Sequence, residues 1–189
     1  TTLSIAQALY EKHKVLTYPR TDSKALPEDY VDVVKQTMAM LADEDLPGPL
    51  RPLSGHARKA VNDGYVKPNK RIFDNAKVSD HFAIIPTLQA PRSLTDIEAK
   101  LYDMVVKRFL AVFYPPAEFM VTTRISTVKH EGKEHSFQTN GKVMVKSGWL
   151  AVYGKESQDE GDGTAGNLVA VQPGEKVRTD EVTVSALKT

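Results

Sequence analysis

Cysteine is absent from all 189 residues, so the chain can form neither a disulfide nor a thiolate metal site, and zinc-ribbon readings fall away. Long apolar runs are missing too. Each hydrophobic stretch meets a charge or a proline within a few residues, far short of the roughly 20 residues that a helical membrane span needs. There is no secretory apolar segment, and the cytoplasm is the expected compartment. No charge sign dominates: 25 Lys and Arg stand against 24 Asp and Glu, for a net charge of +1. A nucleic-acid binder needs a basic face rather than a basic total, so this balance excludes nothing by itself. An initiator methionine is also lacking, and a helical pattern begins almost at once after Thr1-Thr2, as expected of a piece of a longer protein.

What is present is the composition of a globular protein, 41% hydrophobic and 26% charged, enough for one full core or two modest ones. Charge does gather locally. From His56 to Lys77 six cations, Arg58, Lys59, Lys67, Lys70, Arg71 and Lys77, accompany two acids, Asp63 and Asp74. The surplus is a candidate phosphate-binding surface, although solvated surfaces of this kind are commoner.

Periodicity divides the chain. Leu3 to about Lys12 places Ile5, Ala6, Leu9 and Tyr10 at helical spacing, with Thr2 or Ser4 as a cap. A second helix is predicted from Pro27 to about Ala42, with Val31, Val34, Met38 and Leu41 on one face. Pro47, Gly48, Pro49 and Pro52 predict a loop, and a short helix follows over Gly55 to Asn62. Thr95 and Glu98 form a capping box for a helix ending at Phe113 before Pro115-Pro116, with Leu101, Val105, Arg108 and Val112 along one side. Beyond it the period changes to that of strands, predicted at Phe119 to Thr127, Glu134 to Thr139, Lys142 to Lys146, Trp149 to Tyr153, Leu168 to Val171 and Glu181 to Ala186. Glu131-Gly132, Asn140-Gly141, Ser147-Gly148 and Pro173-Gly174 supply turn chemistry between them, and Ser157 to Gly166 reads as a loop. The predicted class is α+β: a mainly helical domain over 1–115 and an antiparallel β domain over 116–189.

Two constellations carry chemistry. In Leu16-Thr17-Tyr18-Pro19-Arg20-Thr21-Asp22-Ser23, Pro19 pushes Tyr18 into extended backbone, where Tyr18 and Arg20 share a side. A phenol titrates near 10 and is a poor nucleophile unless a cation offsets the charge that develops, which a guanidinium beside a phosphate does. The same tripeptide also fits, far more often, a half-buried structural tyrosine. In Ser79-Asp80-His81-Phe82-Ala83-Ile84-Ile85-Pro86-Thr87, His81 can donate to a phosphate or transfer a proton; alternatively it caps a buried segment.

Together these segments, about sixty residues apart, resemble the T-Y-x-R-T-D-S and D-H-x-A-I-x-P-T motifs of type IA DNA topoisomerases. Ser147-Gly148-Trp149-Leu150-Ala151-Val152-Tyr153 and the proline after Tyr18 are similar to the bacterial topoisomerase III branch. The resemblance implies a winged-helix-like tyrosine domain followed by part of the β gate domain. It implies that Tyr18 forms a 5′-phosphotyrosine link, that Arg20 positions Tyr18 and holds the scissile phosphate, and that His81 contacts that phosphate or its neighbour. Asp22 and Thr87 match the motifs and read as turn-satisfying groups. Arg20, Ser23, His81, Arg58 and Lys59 are the candidate DNA-binding residues, the substrate is single-stranded DNA, no membrane is involved and the chain is expected to act as a monomer. Tyr65 and Phe73 are as consistent with core as with stacking.

The family also implies Mg2+, held by a Toprim domain whose acidic motif this sequence lacks, so this chain is expected to bind no metal and to be inactive in cleavage alone. Asp159, Glu160 and Asp162 lie among glycines and read as solvated charges. A relaxase needs a His-x-His that His13, His56, His81, His130 and His135 do not provide, and a tyrosine recombinase places its nucleophile after its arginines. His130 and His135 flank a Gly132 turn and read as surface hairpin. The rival reading is a non-enzymatic module that binds single-stranded nucleic acid.

Overall fold

A computed structural model describes residues 1–43, 46, 48–155, 168, 171–178, 181 and 183. The chain divides into two compact units, Thr1–Phe119 with Met144–Asp159, and Met120–Val143 with Glu160–Thr189. An α+β class is what the described elements form, four α-helices and a two-stranded antiparallel ribbon.

Helix α1, Thr2–Glu11, is capped one residue earlier than expected, by Thr1, whose hydroxyl and the Ser4 side chain complete a capping box. The second predicted helix is two elements. Pro27 is extended, a single 3₁₀ turn covers Glu28–Tyr30, and α2 runs Val31–Leu41 with Val34, Met38 and Leu41 buried. The Glu28 N–H is taken by the Asn75 Oδ1 at 3.0 Å, which holds this entrance outside the regular helix. Helix α3, Arg51–Asn62, starts four residues earlier than its sequence suggested. Pro52 falls in its first turn, where a missing N–H costs nothing, so the proline begins the helix instead of extending the loop.

Helix α4, Asp96–Phe113, has its expected Thr95–Glu98 capping box, but its buried face is rotated from the predicted stripe. Glu98, Tyr102, Val106, Phe109, Leu110 and Phe113 are buried, whereas Val112 is 39% exposed and Arg108 faces solvent. The aliphatic residues alone mislead here, because three aromatic rings and a hydrogen-bonded glutamate take inner positions. The Tyr102 hydroxyl is buried without a partner among the described residues. Leu9, Leu16, Met38, Leu41, Tyr102 and Leu110 are enclosed where α1 packs on α4 and α2 on α3.

Trp149 to Tyr153 is not a strand. It lies in a 3₁₀ helix, Gly148–Tyr153, packed against α4 with Val152 in the core. Gly148 makes this possible at φ 48°, so close to the Pro115-Pro116 carbonyls that a Cβ would stand 2.4 Å from the Pro116 oxygen.

Strands β1, Glu118–His130, and β2, Lys133–Lys146, are joined by Glu131-Gly132, both at positive φ as the tightest hairpins require. Asn140-Gly141 does not turn: the two strands predicted on either side of it are one. Gly141 there accommodates Leu168, whose side chain would lie 3.0 Å from an added Cβ. The Pro173-Gly174 turn forms as predicted, with the Glu175 N–H on the Gln172 carbonyl at 3.0 Å. Most of the predicted strands at Leu168 to Val171 and Glu181 to Ala186, and the Ser157 to Gly166 loop with Asp159, Glu160 and Asp162, lie outside the described residues.

Candidate active site around Tyr18

After α1 the chain reverses at Lys14, which adopts φ 58°, and continues as an extended segment with Val15 and Leu16 buried. This segment pairs antiparallel with the one around Pro86. The Thr17 N–H donates to the Ile85 carbonyl at 3.0 Å and the Thr87 N–H to the Val15 carbonyl at 3.0 Å. Side chains extend the pairing. Thr17 Oγ1 donates to the Ala83 carbonyl at 3.0 Å and accepts from the Ile85 N–H at 2.9 Å. Thr87 Oγ1 donates to the Lys14 carbonyl at 2.6 Å, the backbone-satisfying role its motif position suggested. Further along, the Ala83 N–H donates to the Ala25 carbonyl at 2.9 Å and Thr21 Oγ1 to the His81 carbonyl at 3.2 Å. The two sequence motifs are thus sewn together along their length.

That pairing puts the half-buried Tyr18 ring against His81, with ring centres 4.2 Å apart and planes inclined at 36°. Tyr10 from the end of α1 meets Tyr18 edge-on at 5.4 Å. An open cleft of about 350 Å³ on the His81 side is lined by Arg20, Thr21, Asp22, Ser79, Asp80 and His81. Among the described residues, the side chains of Arg20, Asp22, Asp80 and His81 have no hydrogen bond or ion pair, so an incoming ligand would break none there. The guanidinium and the imidazole are donors suited to phosphate oxygens. Asp22 and Asp80 work the other way, limiting how strongly the cleft draws an anion.

The other sequence candidates lie elsewhere. Ser23 spends its hydroxyl on backbone groups, donating to the Lys77 carbonyl at 2.8 Å and accepting from the Ala25 N–H at 3.3 Å, and it does not line the cleft. Arg58 and Lys59 are on α3. Arg58 donates to the Ala42 carbonyl at 3.2 Å, and Lys59 pairs with Asp63 at 2.8 Å, a bond that holds the Asp63 carboxyl below its ordinary range. Lys70 pairs with Glu28 and Lys77 with Asp74, so at least three cations of the basic run have acidic neighbours among the described residues and behave as paired surface charge. Phe73 is buried against Phe113, and Tyr65 stacks edge-on against Tyr114. His130 lies 3.7 Å from the Glu131 carboxylate and His135 is exposed on β2. No group of three or more His, Asp or Glu among the described residues could hold a metal. Nor is any helix among them long and apolar enough to cross a membrane.

Sequence reasoning missed Tyr10 and Lys14 as neighbours of Tyr18. Their nearness depends on the reversal at Lys14, and a lysine at positive φ has no sequence signature.

The two motifs thus hold a tyrosine between a histidine and a second aromatic ring, beside a cleft of open polar groups. The chain belongs to the DNA topoisomerase family, which it matches over residues 1–189. It is 36% identical to DNA topoisomerase 3 of Bacillus subtilis over 192 residues, 100% of this chain and 25% of that protein. DNA topoisomerase 3 of Bacillus licheniformis is 40% identical and that of Bacillus cereus 42%, each over 161 residues, 84% of this chain and 20% of the relative. The chain therefore spans between 20% and 25% of the length of these relatives.

Proposed function

We propose that this chain is the tyrosine-bearing portion of a type IA DNA topoisomerase of the topoisomerase III kind, acting as a monomer on single-stranded DNA in the cytoplasm. Tyr18 is the nucleophile. Its phenolic oxygen attacks a backbone phosphorus, its proton is lost, and the 3′ oxygen of the neighbouring nucleotide leaves and takes up a proton. The enzyme then holds the other end as a 5′-phosphotyrosine. Reversal rejoins the strand, and because one phosphodiester replaces another of similar energy, no ATP is consumed. Arg20 holds the phosphate and offsets its developing charge, and His81 contacts the same phosphate or its neighbour.

One observation supports this reading above the others: the contact between the Tyr18 and His81 rings, made by two motifs that a ladder of backbone and threonine bonds joins. Mg2+ does not fit the described residues. Asp22, Asp80 and His81 share a cleft with a guanidinium, but no three His, Asp or Glu among the described residues are grouped so that they could hold a metal. The metal that the family implies would be bound by a Toprim domain elsewhere in the parent protein, and none of the roles above is routed through it.

The test traps cleavage of an end-labelled single-stranded oligonucleotide by the full-length parent protein. Wild type forms a covalent protein–DNA adduct and Tyr18→Phe forms none. An adduct that persists in Tyr18→Phe, or never forms in wild type, removes Tyr18 as nucleophile. In the latter case the non-enzymatic binding module remains. Residues 1–189 alone bind the oligonucleotide weakly, with affinity that falls as salt rises, and binding indifferent to salt contradicts a phosphate-dominated site.

A further inference from the structure

A second open cleft, again of about 350 Å³, has Tyr18 in its wall and a different character. Three rings, Tyr10, Tyr18 and Phe82, and one cation, Lys14, dominate its lining. Its threonine hydroxyls are already engaged: Thr17 and Thr87 spend theirs on the backbone ladder. Lys14 is exposed, and its ammonium has no hydrogen bond or ion pair among the described residues; it sits over the Tyr10 ring, 5.8 Å from the centre. The ammonium is held beside the rings by this contact and is open to an incoming anion.

We infer that this aromatic cleft receives one nucleobase of the DNA strand next to the phosphate attacked by Tyr18, with Tyr10 as its stacking platform and Lys14 on the phosphate of that nucleotide. The inference rests on the proposed role of Tyr18. Its chemistry follows from the division of labour between the clefts. Arg20 and His81 offer donors without an aromatic floor, whereas Tyr10, Tyr18 and Phe82 offer apolar faces with a single cation at the edge. A base is planar, apolar on its faces and tied to an anion, which is the combination the second cleft satisfies. Tyr18 belongs to its wall and touches His81 of the first, so a strand crossing Tyr18 meets both. Such stacking is tolerant of sequence, since every base has a π-face, and it would hold the strand in register while the phosphate is aligned.

The experiment measures binding by the full-length parent protein carrying Tyr18→Phe, which keeps the ring but removes the nucleophilic oxygen. Fluorescence anisotropy compares single-stranded oligonucleotides in which one abasic residue is stepped through the positions around the cleavage point mapped with wild type. One abasic position within two nucleotides of that point is expected to weaken binding about fivefold or more. Adding Tyr10→Leu abolishes that penalty while leaving those at distant positions, and Tyr10→Phe retains it. Lys14→Met, an exposed change that leaves Tyr10 in place, lowers the slope of log affinity against log salt by about 0.7. The inference is overturned if no position near the cleavage point shows the penalty, if Tyr10→Leu retains it, or if Lys14→Met leaves the salt slope unchanged. Failure of wild type to form an adduct, or an adduct in Tyr18→Phe, refutes the nucleophile instead and is read independently.

Discussion

Removing the charge of Glu98 isolates the electrostatic joint between α1 and α4. Glu98 Oε2 accepts the Thr95 N–H at 2.8 Å and the Thr95 hydroxyl at 2.8 Å, while Oε1 lies 3.1 Å from His13 Nε2, in a position where the carboxylate is about one-tenth exposed. The Thr95 backbone bond, then its hydroxyl, then His13 favour the ionised carboxylate, and burial opposes them; the outcome is a pKa of about 2 against an ordinary 4.5. At about 1.4 kcal/mol for each tenfold change in proton affinity, this difference is on the order of 3 kcal/mol of folding stability. Because the folded-state pKa is depressed, that stability is fully present above pH 4.5 and is lost as the pH falls toward 2. Urea unfolding followed by circular dichroism, run on wild type and Glu98→Gln from pH 6 to pH 2, reads the effect directly. The gap in stability between the two proteins narrows by about 3 kcal/mol over that range, since the titrations of other carboxylates such as Asp63 and Asp74 cancel in the comparison. Parallel curves over the whole range would mean that Glu98 titrates normally in the folded chain, and would refute the reasoning from its hydrogen bonds.

Two further substitutions test the frame around the site. Gly148→Ala places a Cβ 2.4 Å from the Pro116 carbonyl oxygen at a left-handed φ, and is expected to lower stability by about 1–3 kcal/mol in urea unfolding; an unchanged midpoint contradicts the proposed reason for that glycine. Thr17→Val keeps the shape of the side chain but deprives the Ile85 N–H of its partner, at a cost of about 1–3 kcal/mol. In the full-length parent protein it is also expected to reduce adduct formation at temperatures where the variant remains folded, and full adduct yield there would detach the ladder from the alignment of Tyr18.

How much of the fold could be read from sequence depended on whether local rules and tertiary packing agreed. Thr95, Glu98 and Pro115-Pro116 bound α4 by local chemistry, and the helix has nearly the predicted ends. Its inward face could not be read from aliphatic spacing, because Glu98 on that face finds a partner in His13, 85 residues away in sequence, and aromatic rings take other positions there. Two glycines show the same limit. Gly132 turns the chain as its pair with Glu131 suggests, whereas Gly141 follows asparagine in a turn-like pair yet runs through β2, where its missing side chain serves packing against Leu168. Glycine is chosen for its backbone freedom in one place and for its size in the other, and the local sequence does not distinguish them.

The candidate site divides along the same line. Tyr18, Arg20 and His81 could be nominated because their neighbours form recognisable motifs, yet neither motif explains by itself why a tyrosine and a histidine 63 positions apart should touch. The threonines supply that reason. Thr17, Thr21 and Thr87 each donate a hydroxyl proton to a backbone carbonyl on the opposite segment, so the motif residues without obvious chemistry are the ones that bring the chemical residues together. Tyr10 and Lys14 had no such marker. Their place beside Tyr18 follows from the turn out of α1, where Lys14 takes a strained conformation that Thr87 holds by its carbonyl. Strain of that kind persists only when surrounding contacts over-determine it. A lysine kept in this conformation at the edge of an aromatic cleft is the local reason to test for DNA contacts there as well as at Arg20 and His81.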